Sequence, residues 1–436
     1  MSSPPDLEGP WIEAGLPHLW LPYTQMKTAP RPVPVTGTAG SRVILADGTQ
    51  LVDGTSSWWT ACHGYNHPHI VGAVRAQLDA MPHVMMGGLL HEPVCRLAER
   101  LIGHLPRPLD RIFFSESGSV SVEVALKMAI QYWRNRGDAS ADAPHTAFIC
   151  FDGGYHGDTT GAMSVSDPDE GFHEAFRGSI LPQIRLPLPQ TPETKARFLR
   201  TLTEQRHTLA GVIIEPWILG AGGMQFYSAD VLRFIRAACD EQDMLLIFDE
   251  IMTGFGRTGT MFICSGHGVV PDILTLSKAL TGGTLPFAAT VSSSKVSEPF
   301  LSDDPDAALM HGPTYMGNPL GCAAAHASLD LFEAEPRMAQ VARIERGFRE
   351  LLEPARSLPR VKDVRVRGAI GVIEIDGLDN IPWLKTRFIE KGVLVRPFGS
   401  IIYATPPFIL NDGELEQLAT AMVEVTAEWA QLPRAA

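Results

Sequence analysis

The stretch Leu274-Thr275-Leu276-Ser277-Lys278-Ala279-Leu280-Thr281-Gly282-Gly283 constrains this chain more than any other. An apolar run that ends in a lysine and breaks at two glycines puts one ammonium at the mouth of a buried strand. Desolvation disfavours the charged amine, lowers its pKa and frees a lone pair for attack on a carbonyl. Upstream, Leu245-Leu246-Ile247-Phe248-Asp249-Glu250 ends a second apolar strand in Asp249, as a buried carboxylate does when it faces a cation. A single lysine past a strand is usually just an exposed lysine. The acid, the glycines and two anion-friendly turns argue against that here.

Between residues 70 and 320, helix-period segments alternate with apolar strand-like runs. Examples are Arg111 to Phe114, Ala147 to Phe151, Gly211 to Glu215 and Leu245 to Asp249. Near-continuous apolar strands separated by helices predict an α/β fold whose mostly parallel sheet is covered on both faces. Ligands of such sheets sit beyond the carboxyl ends of the strands, where Glu215, Asp249 and Lys278 fall. Past residue 335 the texture changes to a smaller α/β domain closed by a helix from about Asp412. We expect residues 1–60 to form an arm that joins the small domain, residues 61–330 the large domain and residues 331–436 the small one. The first 15 or so residues, rich in Pro and acid, read as mobile.

The formal charge of −13 argues against nucleic-acid and anionic-membrane partners. No apolar run approaches a membrane span. Six cysteines are scattered singly, which suits reduced thiols and a cytoplasmic protein.

Ser115-Glu116-Ser117-Gly118-Ser119 follows an apolar strand and opens a helix, so its free N–H groups and hydroxyls suit a phosphate; an ordinary serine cap is the plainer reading. No G-x-G-x-x-G accompanies it, which weakens a dinucleotide reading. Gly153-Gly154-Tyr155-His156-Gly157-Asp158-Thr159 lets backbone approach a ligand on which Tyr155 stacks, unless it is a surface loop. Ser56-Ser57-Trp58-Trp59 places two tryptophans side by side. If this is a strand they face opposite ways, leaving one to line a cavity or interface. His63, His67 and His69 lack a carboxylate or cysteine to complete a metal set and suit turn and packing roles. Thr314, in His311-Gly312-Pro313-Thr314, reads as a phosphate donor or as the cap of the helix beginning at Pro319. Arg396 ends an apolar strand and suits either a two-pronged grip on a carboxylate or a surface ion pair.

A carbonyl-seeking lysine and an acid for a pyridinium nitrogen are the two demands of pyridoxal 5′-phosphate (PLP). Together with Glu215-Pro216, Phe248-Asp249-Glu250-Ile251, Thr253-Gly254-Phe255-Gly256-Arg257-Thr258-Gly259 and Ser277-Lys278-Ala279-Leu280, these residues resemble the class-III aminotransferases. These are PLP-dependent transferases of fold type I, in the branch of the ornithine, 4-aminobutyrate and other ω-amino aminotransferases. The resemblance covers about Leu19 to Pro407. It implies that Lys278 bonds the cofactor aldehyde and shuttles a proton, and that Asp249 holds the pyridinium nitrogen. It also implies that Gly118 and Ser119 bind phosphate together with Pro313 and Thr314 of a second subunit, and that Tyr155 stacks on the ring beside His156 and Asp158, with Glu215 nearby. Tyr23, Trp58, Gly312, Arg396 and Tyr403 are implied to shape the substrate pocket. The dimer is then an essential unit.

The Trp pair and the stretch from Arg396 to Tyr403 resemble the members of the branch that serve biotin biosynthesis. They imply S-adenosyl-L-methionine as amino donor, 8-amino-7-oxononanoate as acceptor and Arg396 as the partner of the acceptor's carboxylate. Alternatives are another ω-aminotransferase, a lysine-using enzyme of the same pathway or, remotely, a non-catalytic PLP-binding regulator. Leu219, Met252, Leu285-Pro286-Phe287 and Gly399 depart from the family pattern and bear on substrate shape.

Overall fold

The computed structural model describes residues 10–170, 173–220 and 222–434. The chain forms two compact units, one built from the segment up to His67 together with that from Ala339 onward, the other from Pro68–Met338. The arm expected at the start of the chain lies outside the described residues as far as residue 9. From Pro10 the chain forms a short helix, Pro10–Gly15.

The central unit is built on seven strands: β1 (Leu109–Ser115), β2 (Ala147–Phe151), β3 (Ile184–Leu186), β4 (Leu209–Ile214), β5 (Leu246–Asp249), β6 (Ile273–Leu276) and β7 (Ala288–Ser293). Their spatial order is β1-β7-β6-β5-β4-β2-β3. β7 runs antiparallel to both of its neighbours, while β6, β5, β4, β2 and β3 pair in parallel. Every residue of β4, β5, β6 and β7 is buried. That explains why these strands read as unbroken apolar runs rather than as alternation. Each fully buried Ile, Leu or Phe contributes about 1.5–3 kcal/mol relative to exposure.

Helix α1 (Gly118–Asn135) follows β1. Ser117 caps it, accepting from Val120 N at 3.4 Å, and Val124, Met128 and Tyr132 lie buried along one face. Helix α2 (Pro319–Ala334) is capped by Asn318 Oδ1, which accepts from Leu320 N and Gly321 N. The capping alternative for Thr314 is therefore wrong: Asn318, next to the N1 proline, is the residue within reach of those N–H groups.

In the other unit, Val35–Ala39, Arg42–Leu45 and Gln50–Asp53 form an antiparallel meander, joined in parallel by Val393–Leu394. A second antiparallel sheet contains Val361–Arg367, Ile370–Ile375 and Ile401–Ala404. The helix Asp412–Ala430 opens on a reciprocal Asn411–Glu414 capping box, and Glu414 also accepts from Ser41 Oγ at 2.8 Å.

Two expectations for this unit are corrected. Arg396 does not end a strand: the paired residues stop at Leu394, and Pro397 has no N–H with which to extend the ladder. Nor is Ser56–Trp59 extended. Ser56, Ser57, Trp58 and Trp59 have φ of 48°, 45°, 57° and 76°. They form one turn of left-handed helix, closed by Trp59 N to Thr55 O at 2.9 Å and Thr60 N to Ser56 O at 2.8 Å. Left-handed backbone costs an L-residue roughly 1–2 kcal/mol, so four in succession require outside support.

Candidate active site

Asp249 and Thr275 lie opposite one another at the ends of the parallel pair β5 and β6, and Lys278 follows two residues beyond β6. Asp249 Oδ2 is 2.8 Å from His156 Nδ1, with both side chains buried. Its Oδ1 accepts from Ile251 N at 3.0 Å and from Thr275 Oγ1 at 3.3 Å. Three neighbours thus fix the carboxylate in orientation.

Glu215 follows β4 and is also buried. Its oxygens accept from Tyr155 N at 2.9 Å and Gly220 N at 3.2 Å. Burial pushes its carboxyl up to about 7, Asp249 adding to the rise while His156 and the two N–H groups oppose it.

Lys278 has φ 48°, a left-handed position for a non-glycine residue at the opening of a 3-10 turn. Part of its surface is accessible, yet the protein packed around the amine lowers its pKa; Asp249 and Glu215 oppose that shift. The amine is therefore biased toward the neutral, nucleophilic form.

The loop after β2 is tied to the start of α1. Ser119 Oγ accepts from Asp158 N at 3.1 Å, and Glu123 Oε1 accepts from Gly161 N at 2.6 Å. Gly157, at φ 126°, is required there: a Cβ would lie 2.1 Å from Ser119 Oγ. Gly118 is less crowded, its imagined Cβ 3.0 Å from Ile251 Cδ1. Tyr155 donates its hydroxyl to Asp158 Oδ1 at 3.0 Å, and its ring stacks on His173 at 5.7 Å. His173 Nε2 is 3.1 Å from the same carboxylate oxygen. Reading the sequence missed His173, Glu123 and Thr275. Only Thr275 carried a signal, as a polar residue within an otherwise apolar strand.

Gly312 and Thr314 are exposed and Pro313 is half-buried, in a loop anchored by Lys127 Nζ to Met310 O at 2.7 Å. Lys127 is nine residues along α1 from Gly118, about 13 Å of helix.

The other unit carries its own cluster. The Arg396 guanidinium lies over the Trp58 ring at 4.7 Å, and Tyr23 meets that ring edge-on at 6.5 Å. Trp58 is 42% exposed, while Trp59 is 6% exposed and packs 6.3 Å from the buried Tyr403. Burial raises the Tyr403 hydroxyl pKa, and Arg396 opposes the rise. Among the described residues no carboxylate forms an ion pair with Arg396. A cation on an aromatic platform is a receptor for an anion.

The profile of the family "Aminotransferase class-III" matches residues 23–426. The chain belongs to this family. It is 42% identical over 410 residues to the adenosylmethionine-8-amino-7-oxononanoate aminotransferase of Corynebacterium glutamicum, covering 93% of this chain and 96% of that protein. It is 43% identical over 417 residues to the protein of that name from Mycobacterium leprae, 94% of each chain being covered. Among solved structures, the aminotransferase of that name from Methanocaldococcus jannaschii superposes with a TM-score of 0.90 at 33% identity, over 97% of this chain and 98% of the other. A PLP-bound amine transaminase from an uncultivated Pseudomonas species gives 0.85 at 32%, over 94% and 98%.

Proposed function

We propose that this enzyme transfers the amino group of S-adenosyl-L-methionine to 8-amino-7-oxononanoate, giving 7,8-diaminononanoate for biotin synthesis, with pyridoxal 5′-phosphate as cofactor. The observation that carries the reading is the Arg396–Trp58 pair, a cation on an aromatic wall with no acidic partner among the described residues. It suits an acceptor that ends in a carboxylate. The relatives at 42% and 43% identity bear the name of this activity.

The residues fit the cofactor. Lys278 offers an amine biased toward its neutral form, Asp249 a buried carboxylate for a ring nitrogen, and α1 an N-terminus for a phosphate. When bound, pyridoxal phosphate supplies an electrophilic carbon and a ring that accepts electrons. Lys278 Nζ takes and returns the substrate proton, a task suited to an amine with a lowered pKa. Asp249, held by His156, Thr275 and Ile251 N, keeps a proton on the pyridine nitrogen. Tyr155, with His156 beside it, would hold the ring, and Glu215 supports the loop through Tyr155 N. Gly118 and Ser119 bind phosphate at the helix start. Pro313 and Thr314 complete that site from a second copy, so that the working unit is a homodimer in the cytoplasm. Tyr23, Trp58 and Tyr403 shape the substrate site around Arg396. No described helix is long and apolar enough to cross a membrane.

The test is a pair of half-reactions on the PLP-loaded protein. Adenosylmethionine alone should bleach the visible cofactor band, and 8-amino-7-oxononanoate, added after excess donor is removed, should restore it with stoichiometric diamine. If only lysine or another amine bleached the band, the donor assignment would be wrong and the reaction class would stand.

A further inference from the structure

The left-handed turn Ser56–Trp59 is held chiefly by one buried acid. Asp53 Oδ1 accepts from Thr55 N and Thr55 Oγ1, both at 2.7 Å, while Oδ2 accepts from Ser57 N at 3.0 Å and from the Tyr65 hydroxyl at 2.5 Å. Asp53 itself is 0% exposed. From the other side Ser56 Oγ donates to Thr405 O at 2.7 Å, and Thr405 Oγ1 donates to Thr55 O at 3.3 Å. None of the four left-handed residues is glycine, so each relies on these contacts to keep its conformation. The hand of the turn decides where consecutive side chains leave it. Here Trp59 enters the core against Tyr403 and Trp58 emerges beneath Arg396. An ordinary surface turn would have no need of a buried acid with four donors.

We infer that Asp53 is a positioning residue for substrate recognition. Acting through the left-handed turn, it holds Trp58 as the platform that fixes the Arg396 guanidinium for an acceptor carboxylate. The inference rests on the reading that Arg396 binds that carboxylate. In Asp53→Asn one oxygen becomes a donor facing the Ser57 N–H, so the turn loses its central support while the side-chain volume is kept.

The experiment compares 8-amino-7-oxononanoate with its methyl ester as acceptors for the holoenzyme. For Asp53→Asn, KM for the acid should rise about tenfold or more, while KM for the ester moves less than about twofold and the donor half-reaction is unchanged. Tyr65→Phe, a milder change that removes one donor to the same oxygen, should shift only the acid, by about threefold, and serves if Asp53→Asn does not fold. Adding Ser57→Gly to Asp53→Asn should recover part of the loss, since glycine adopts the left-handed conformation freely. Equal shifts for acid and ester, or no recovery with glycine, would overturn the proposal. A wild-type enzyme indifferent to esterification would instead overturn the reading of Arg396 on which it rests.

Discussion

His156 Nδ1 approaches Asp249 Oδ2 at 2.8 Å in a site where both side chains are almost wholly enclosed. Contacts on its two oxygens keep this carboxylate from rotating, one of them to Thr275 from the neighbouring strand. In a surrounding of low polarity, the loss of one such partner is felt by the whole network. His156→Asn should therefore lower kcat by roughly 10- to 100-fold with a smaller change in melting temperature. Steady-state kinetics beside thermal melts of the holoenzyme separate the two effects.

Lys278→Ala should reduce turnover at least about a thousandfold, because no other amine follows β6 at that point. It removes a cation disfavoured by its packing, so the fold should survive. Circular dichroism alongside single-turnover assays checks this, and residual turnover within tenfold of wild type would contradict the role given to Lys278.

Glu250 is 0% exposed and accepts from Ile263 N at 2.8 Å and Cys264 N at 3.0 Å. Burial nevertheless raises its carboxyl to about 7 from an ordinary 4.5. The folded protein then holds this proton more tightly than the unfolded chain does. Its stabilising contribution is full below about pH 4.5 and is lost as pH rises through 7, a change on the order of 3 kcal/mol. Glu250→Gln does not titrate. Its deficit in stability relative to wild type should shrink between pH 5 and pH 8, as read by denaturant unfolding at each pH; a constant deficit would refute the shift.

Gly157→Ala should be more damaging than an ordinary loop substitution. The added carbon would meet Ser119 Oγ at 2.1 Å and Ser119 Cα at 2.9 Å, so backbone has to move. A cost of about 2–3 kcal/mol is expected, together with a lower ratio of bound cofactor to protein after dialysis.

Arg396→Ala should raise KM for a carboxylate-bearing acceptor by roughly 100-fold and leave the donor half-reaction within a few-fold of wild type. Arg396→Lys should recover little, since a point charge neither stacks on the Trp58 ring as a planar fork does nor grips with two prongs.

The positions of Asp249 and Lys278 at the ends of neighbouring strands were legible because strands buried on both faces leave uninterrupted apolar runs, and a charge that ends one is conspicuous. A serine cap at the start of α1 was legible because capping is settled within three residues, though which of Ser115, Ser117 and Ser119 supplies it was not. The hand of the Ser56–Trp59 turn was not: it depends on the carbonyl of Thr405, 349 residues away from Ser56, and on the Tyr65 hydroxyl. The stack of Tyr155 on His173 is equally a product of folding. Arg396 was misplaced on a strand because its apolar neighbours suggested pairing that Pro397 interrupts.

The antiparallel return of β7 beside β6 has a kinetic corollary. Ser277 Oγ donates to Phe287 O at 2.8 Å and Thr281 Oγ1 donates to Leu285 O at 2.6 Å, so the link between these strands is laced shut immediately around Lys278. The main chain there is a fixed pivot, and the amine travels only by rotations about its own four-carbon stem. Such rotations take picoseconds to nanoseconds, whereas loop excursions extend to microseconds. Reorientation of the lysine amine therefore needs no movement of the backbone segment that carries it.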